Sequence, residues 1–309
     1  MNPVQGHPHA RDAQARRYVA AAIAAAAAIV AVEALLVMQG HLLAAQIADA
    51  VLVLVLVNSG PAREPRALSD RAAAALGALR ALALVPLIRV VALGLPMRNW
   101  SEPLAVLAIA LPIGAIALRL APVVGLGLKP LLSVRAAAID VAAVAAGAAL
   151  GLVAYLAGAE ALWPKDAPAD RIAFGVAAAI VAAIVEELVF RGLVQGTLQR
   201  AAGRLGLLMA SATFAATYLD AGSATLVLTF VLAGAVFAYV VARTGALPGV
   251  ILGHVLLVAG AGAIWPTLLE ESVPTLHGPV TTIALSVAIA AVTLMTVRRP
   301  PAGVTGAAP

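Results

Sequence analysis

The chain has 309 residues, 63% of them hydrophobic and 11% charged, against about half and about a quarter in soluble domains, so it is not an ordinary soluble protein. A mean hydropathy of +1.02 over the whole length spreads the apolar excess along the chain, which excludes a single-pass anchor and calls for several spans. The sequence has no cysteine, hence no disulfide, thiolate metal site or cysteine nucleophile, and its net charge of +5 sits between apolar runs, where it sets topology and does not imply a nucleic-acid partner.

Residues 1–17 carry His7, His9, Arg11, Arg16 and Arg17, and Tyr18–Met38 is then apolar apart from Glu33. A secretory h-region is only about 7 to 15 residues long, so this stretch reads as a retained anchor. Further apolar runs follow at 42–57, 72–95, 103–120, 136–157, 172–197, 205–219, 224–242, 246–265 and 279–297, which makes ten in all. The expected fold is an all-α polytopic membrane helix bundle of about ten transmembrane helices.

The loop charges orient it. One set of loops and ends collects Arg11, Arg16, Arg17, Arg63, Arg66, Arg71, Arg119, Lys129, Arg135, Arg200, Arg204, Arg243, Arg298 and Arg299, whereas the other holds only Arg98, Lys165 and Arg171. By the positive-inside rule both termini are cytoplasmic. The Pro- and charge-rich segment 58–70 and the glycine-containing loop 123–133 are candidate linkers. The expected organisation is a cytoplasmic tail over 1–17, an accessory transmembrane bundle over 18–135, a core over 136–297 and a disordered tail over 298–309.

Ionisable groups inside spans are costly and face the protein interior or a water-filled cavity. Here they are Glu33, Asp49, Arg80, Arg89, Asp140, Glu186, Glu187, Arg191 and His254. Glu33 and Asp49 with Arg80 and Arg89 read as interhelical ion pairs, and Asp140 and Arg80 as groups that reach the interface from near helix ends. Trp100, Trp163 and Trp265 fall at outer span ends, as an aromatic belt requires. Pro86 and Pro112 read as helix kinks, and His277, His7 and His9 as solvated.

The sixth run differs, because IVEELVFRGLVQGTLQR sets three charges within six residues of an apolar helix. At about 100° per residue Glu187 and Arg191 stand i and i+4 on one face, in the favourable order, and are expected to pair. Glu186 points about a third of a turn away, so it is either a carboxyl available as a general base or one that pairs across helices.

Glu186-Glu187-x-x-x-Arg191 in one membrane helix, Phe214-x-x-x-Tyr218 in the next and His254 after TGALPGVILG resemble the CPBP family, the CAAX-processing and bacteriocin-processing intramembrane endopeptidases also called Abi. The resemblance covers 136–297. The family pattern is EExxxR, FxxxH and HxxxN or HxxxD; here Tyr218 replaces the second-motif His, and Val258 replaces the third-motif Asn or Asp. It implies that Glu186 activates the attacking water, that His254 donates to the oxyanion, and that Tyr218 shares their cytoplasm-facing cavity, with Glu187, Arg191 and Phe214 in support.

The substrate implied is a peptide bond of a membrane-associated protein or peptide, in a multi-pass protein of the bacterial plasma membrane whose other partners are membrane lipids. No cofactor or metal is expected, since catalytic zinc takes about three protein ligands and adjacent Glu186 and Glu187 diverge on a helix. The alternative is a degenerate member that binds or scaffolds without hydrolysis, because Val258 donates nothing and Tyr218 is a poor base at neutral pH. A secondary transporter ranks last, as paired broken helices and inverted repeats are not evident.

Overall fold

The computed structural model describes residues 8–37, 39–59, 68–94, 102–134, 137–157, 169–219, 224–269 and 279–298. Among these the chain is helical, with no strand. The helices are α1 (Pro8–Val32), α2 (Leu42–Asn58), α3 (Asp70–Leu82), α4 (Leu84–Gly94), α5 (Glu102–Val123), α6 (Leu128–Leu131), α7 (Ala137–Leu156), α8 (Ala169–Glu187), α9 (Gly196–Ala216), α10 (Ala224–Thr244), α11 (Pro248–Ala259), α12 (Trp265–Leu268) and α13 (Pro279–Arg298). Segments Glu33–Val37, Leu188–Gln195 and Gly260–Ile264 wind as π-helix. Trp100, Trp163, His7, His9, His277, the body of the 58–70 linker and the end of the C-terminal tail lie outside the described residues.

Each apolar run read from the sequence coincides with helix. Among the described residues, six helical segments are long and apolar enough to cross a membrane, at Asp12–Val37, Asp70–Val90, Leu104–Val123, Ala138–Leu156, Ala173–Ala216 and Leu226–Thr244. Three shorter apolar helices cover Leu42–Asn58, Pro248–Gly262 and Val280–Met295. The protein is a polytopic, all-helical integral membrane protein.

The longest of the six is a folded-back pair. Gly203 breaks α9 with φ 58 and ψ −129, a conformation only glycine adopts freely. A straight helix would hold Leu198 and Gly206 about 12 Å apart, yet a Cβ on Gly206 would run into the Leu198 carbonyl. The chain therefore reverses at Gly203, as the separate runs 172–197 and 205–219 require. Pro86 acts similarly on a smaller scale: it offers no N–H to the Leu82 carbonyl, and the ladder breaks at Ala83, between α3 and α4.

The described residues form two compact units interleaved along the chain. The first comprises 1–96, 111–128 and 188–220, and the second 97–110, 129–187 and 221–309. The expected bundle over 18–135 and core over 136–297 are divisions by chain order, whereas these units are groupings by contact, and each draws on both halves of the chain. Helix α1 also begins at Pro8, inside the stretch read as a tail.

In the first unit α3 packs against α1 and α9. Glu33 and Arg89 form a buried ion pair at 2.9 Å, one of the interhelical pairings the sequence suggested. Asp49 is also fully buried, and Arg89 is the cation whose charge acts on it.

In the second unit α7 and α11 lie against each other along a seam of small residues. Gly147 and Gly151 are one turn apart on α7, as are Gly249 and Gly253 on α11, the spacing that lets membrane helices approach closely. A Cβ on Gly147 would collide with the Gly253 carbonyl, and one on Gly253 would stand 2.5 Å from the Ala143 carbonyl. A Cβ on Gly249 would strike Asp140, which is buried against the start of α11. The Leu247 N–H donates to the Leu131 carbonyl at 2.7 Å and anchors that start. The seam thus fixes the height of Gly253 and of its neighbour His254.

Candidate active site

Glu186 and Glu187 are the last two residues of α8. Successive helical residues point about 100° apart, and here the two carboxylates have different surroundings. The Glu187 side chain is 0% exposed, whereas that of Glu186 is 34% exposed. Both face His254 on α11, which is itself 1% exposed.

The imidazole stands between the two acids. Its Nδ1 lies 2.8 Å from Glu187 Oε1, a hydrogen bond in which an ionised Glu187 accepts and Nδ1–H donates. Its Nε2 lies 3.7 Å from Glu186 Oε2, beyond a direct hydrogen bond but close enough for both to touch one small group. The Phe237 ring of α10 packs beside the imidazole, centroids 6.2 Å apart. Three walls of the second unit thus hold the ring: the glycine seam with α7, the carboxylate of α8 and the aromatic of α10.

This arrangement has the chemistry of an oriented histidine. With Nδ1–H committed to Glu187, the ring is fixed in plane and tautomer, as a carboxylate fixes the histidine of a catalytic triad. When the ring carries a second proton, Nε2–H is left to donate toward Glu186 or a developing oxyanion, with Glu187 balancing the charge. Glu186 is the more exposed of the two acids. Val258, one turn after His254 on α11, is half-buried and apolar.

The other residues singled out by sequence belong to the first unit. The Phe214 ring is central there: Phe190 meets it edge-on with centroids 5.2 Å apart, Tyr218 packs at 5.0 Å, and the Arg191 guanidinium carbon lies 4.0 Å from its centroid. Arg191 and Phe214 are buried and Tyr218 is half-buried. A cation held on an aromatic face in a desolvated place gains up to about 2 kcal/mol.

Sequence reading expected Glu187 to pair with Arg191 and did not foresee its contact with His254. An i, i+4 wheel describes an unbroken α-helix, whereas Leu188–Gln195 winds as π-helix, whose i→i+5 bonding changes the angle between successive side chains. Phe237 and the glycine seam were also missed. The paired Gly-x-x-x-Gly spacings at 147–151 and 249–253 were a readable signal for the seam, whereas nothing local to Phe237 distinguishes it from other core aromatics. Among the described residues, no three His, Asp or Glu side chains gather as a metal site needs.

Comparison with known families bears out the resemblance over the segment that carries this geometry. Residues 168–260 match the model of the Rce1-like family, type II CAAX prenyl endopeptidase Rce1-like. The match spans α8 to α11, contains Glu186, Glu187 and His254, and suggests a CAAX-type intramembrane protease. No curated protein and no solved structure matches the chain at a significant level.

Proposed function

We propose that this protein is an intramembrane endopeptidase that hydrolyses a peptide bond of a membrane-associated protein or peptide. The observation that supports this most strongly is the buried His254 held by Glu187 at 2.8 Å with its other nitrogen 3.7 Å from the accessible Glu186. Glu186 takes a proton from water as the oxygen attacks the scissile carbonyl. His254 donates from Nε2 to the oxygen that becomes negative, and Glu187 holds the ring and offsets its charge. The proton on Glu186 then passes to the leaving amine, and the oxyanion collapses to the new carboxylic acid.

Two departures from the family pattern, Tyr218 and Val258, favour a second reading in which the chain binds a membrane peptide without cutting it. A cleavage assay separates the two. Purified protein in bilayer discs is incubated with membrane peptides and the products are read by mass spectrometry. Val258→Asn, which sets an amide one turn from His254, is expected to raise the rate on the order of 10²-fold, the scale of one added oxyanion donor. If neither the parent nor Val258→Asn cleaves any membrane peptide, the binding reading prevails.

The arrangement in the membrane is ten spans with both termini in the cytoplasm of a bacterial cell, supported by the arginine asymmetry of the loops. Glu186 and His254 then lie about 15 Å from the cytoplasmic side. Reporters fused after Arg63 and Arg299 are expected to read cytoplasmic and one at Asp166 external. An internal signal at Asp166 would contradict the arrangement.

A further inference from the structure

A cavity of about 300 Å³ is lined wholly by residues of the first unit, whereas Glu186, Glu187 and His254 belong to the second. Asp70, Ala73, Gly77 and Arg80 of α3 line it, and their steps of three and four residues place them on one helical face about 15 Å long. Val123 and Arg200 also line it.

Arg200 is fixed there by the backbone. Its Nε–H donates to the Gly196 carbonyl at 3.0 Å, Nη2–H to Val124 at 2.8 Å and Nη1–H to Gly125 at 3.4 Å. A guanidinium has five N–H donors, so two remain for a ligand, and a guanidinium already held in place loses less freedom on binding an anion. Half-buried Arg80 also lines the cavity.

The surroundings are strongly basic. Tyr18 and Val19 of α1 pack on Ala74 and Ala75 of α3 and Ala201 of α9. Arg16 and Arg17 directly precede that contact on α1, Arg204 follows Ala201 by three residues, and the Arg71 Nε–H donates to the Ala201 carbonyl at 2.8 Å, with Asp12 and Asp70 the acids in the same helical stretches. The lining also offers apolar surface: Val123 is 60% exposed, and Leu68 and Leu76 are further apolar members.

We propose that this cavity seats the phosphate of an anionic phospholipid, with Arg80 and Arg200 on its oxygens and acyl chains along the exposed apolar side chains. A basic pocket between membrane helices is a recognised form of headgroup site. Two features favour a lipid over free phosphate. The apolar rim gives acyl chains a surface, and the Asp70 carboxylate in the lining penalises a second negative charge. A phosphodiester carries one charge, whereas a phosphate with a second ionisation near pH 6 carries close to two at neutral pH.

The test uses the full chain in mild detergent, titrated with phosphatidylglycerol, phosphatidylcholine or inorganic phosphate and followed by native mass spectrometry and thermal unfolding. Phosphatidylglycerol is expected to bind at least about fivefold tighter than phosphatidylcholine, and Arg200→Gln to remove about fivefold, the scale of one arginine at a lipid headgroup. Ala73→Phe fills the cavity from an exposed position and keeps every charge, so it is expected to abolish the preference even if Arg200→Gln folds poorly. Arg204→Gln, outside the cavity, should change it less than twofold. Equal binding of the two lipids, a preference that survives Ala73→Phe, or inorganic phosphate at millimolar concentration displacing phosphatidylglycerol would each overturn the proposal.

Discussion

Glu186→Ala is expected to lower the rate of membrane-peptide cleavage by about 10²- to 10⁴-fold, the range a positioned general base supplies, while the protein folds and unfolds as the parent does. The second half of that expectation follows from exposure. The Glu186 side chain is 34% exposed, in contrast to the fully buried Glu187, and His254 Nε2 lies 3.7 Å from it, beyond a direct hydrogen bond. Removing it opens little space in the core and leaves the Glu187–His254 hydrogen bond intact. The variant should therefore elute at the same volume on gel filtration, keep its thermal midpoint within about 2 °C, and differ only in turnover. A Glu186→Ala protein that cleaves at the parental rate would remove Glu186 from the reaction.

The neighbouring substitution is expected to behave in the opposite way. Glu187→Ala removes a fully buried carboxylate from a 2.8 Å contact with a fully buried imidazole. Breaking a buried pair at one partner costs about 3 to 5 kcal/mol, because the group left behind loses the partner that had replaced its hydration. The expected result is a marked fall in yield and thermal midpoint, together with loss of cleavage as the His254 ring loses its orientation. Glu187→Gln keeps a hydrogen-bond acceptor for Nδ1–H and should recover most of the stability. It should not recover the full rate, since an amide cannot balance the charge of a doubly protonated ring. Two adjacent glutamates thus separate by experiment into a group that reacts and a group that holds. Normal stability of Glu187→Ala with activity alone lost would assign Glu187 a different part.

Much of the helical architecture was legible in the sequence because membrane helices announce themselves by apolar length. Runs such as 103–120 and 224–242 reappear as α5 and α10. Gly203 divides the longest helical stretch where the two runs on either side had been separated. What pattern alone did not convey was the interleaving of the two units, since it depends on which helix faces pair, and alanine-rich faces look alike. The site was legible as a set of residue types and only partly as geometry. Glu186 and His254 were recognised as partners, but the place of Glu187 depends on where α-winding gives way to π-winding at Leu188, which a 3.6-residue wheel does not represent. The glycine seam that sets the height of His254 was present as two Gly-x-x-x-Gly spacings, and its meaning became definite only when α7 and α11 met.

The central claim is that Glu186 delivers water to a peptide carbonyl beside His254. The most direct measurement is cleavage of a membrane peptide by the parent and by Glu186→Ala in the same bilayer discs, in water enriched in ¹⁸O, with the new carboxyl terminus weighed by mass spectrometry. The parent is expected to give a product carrying ¹⁸O at the new carboxylate, and Glu186→Ala to give none within the time of complete parental turnover. Labelled product formed equally fast by both proteins would contradict it.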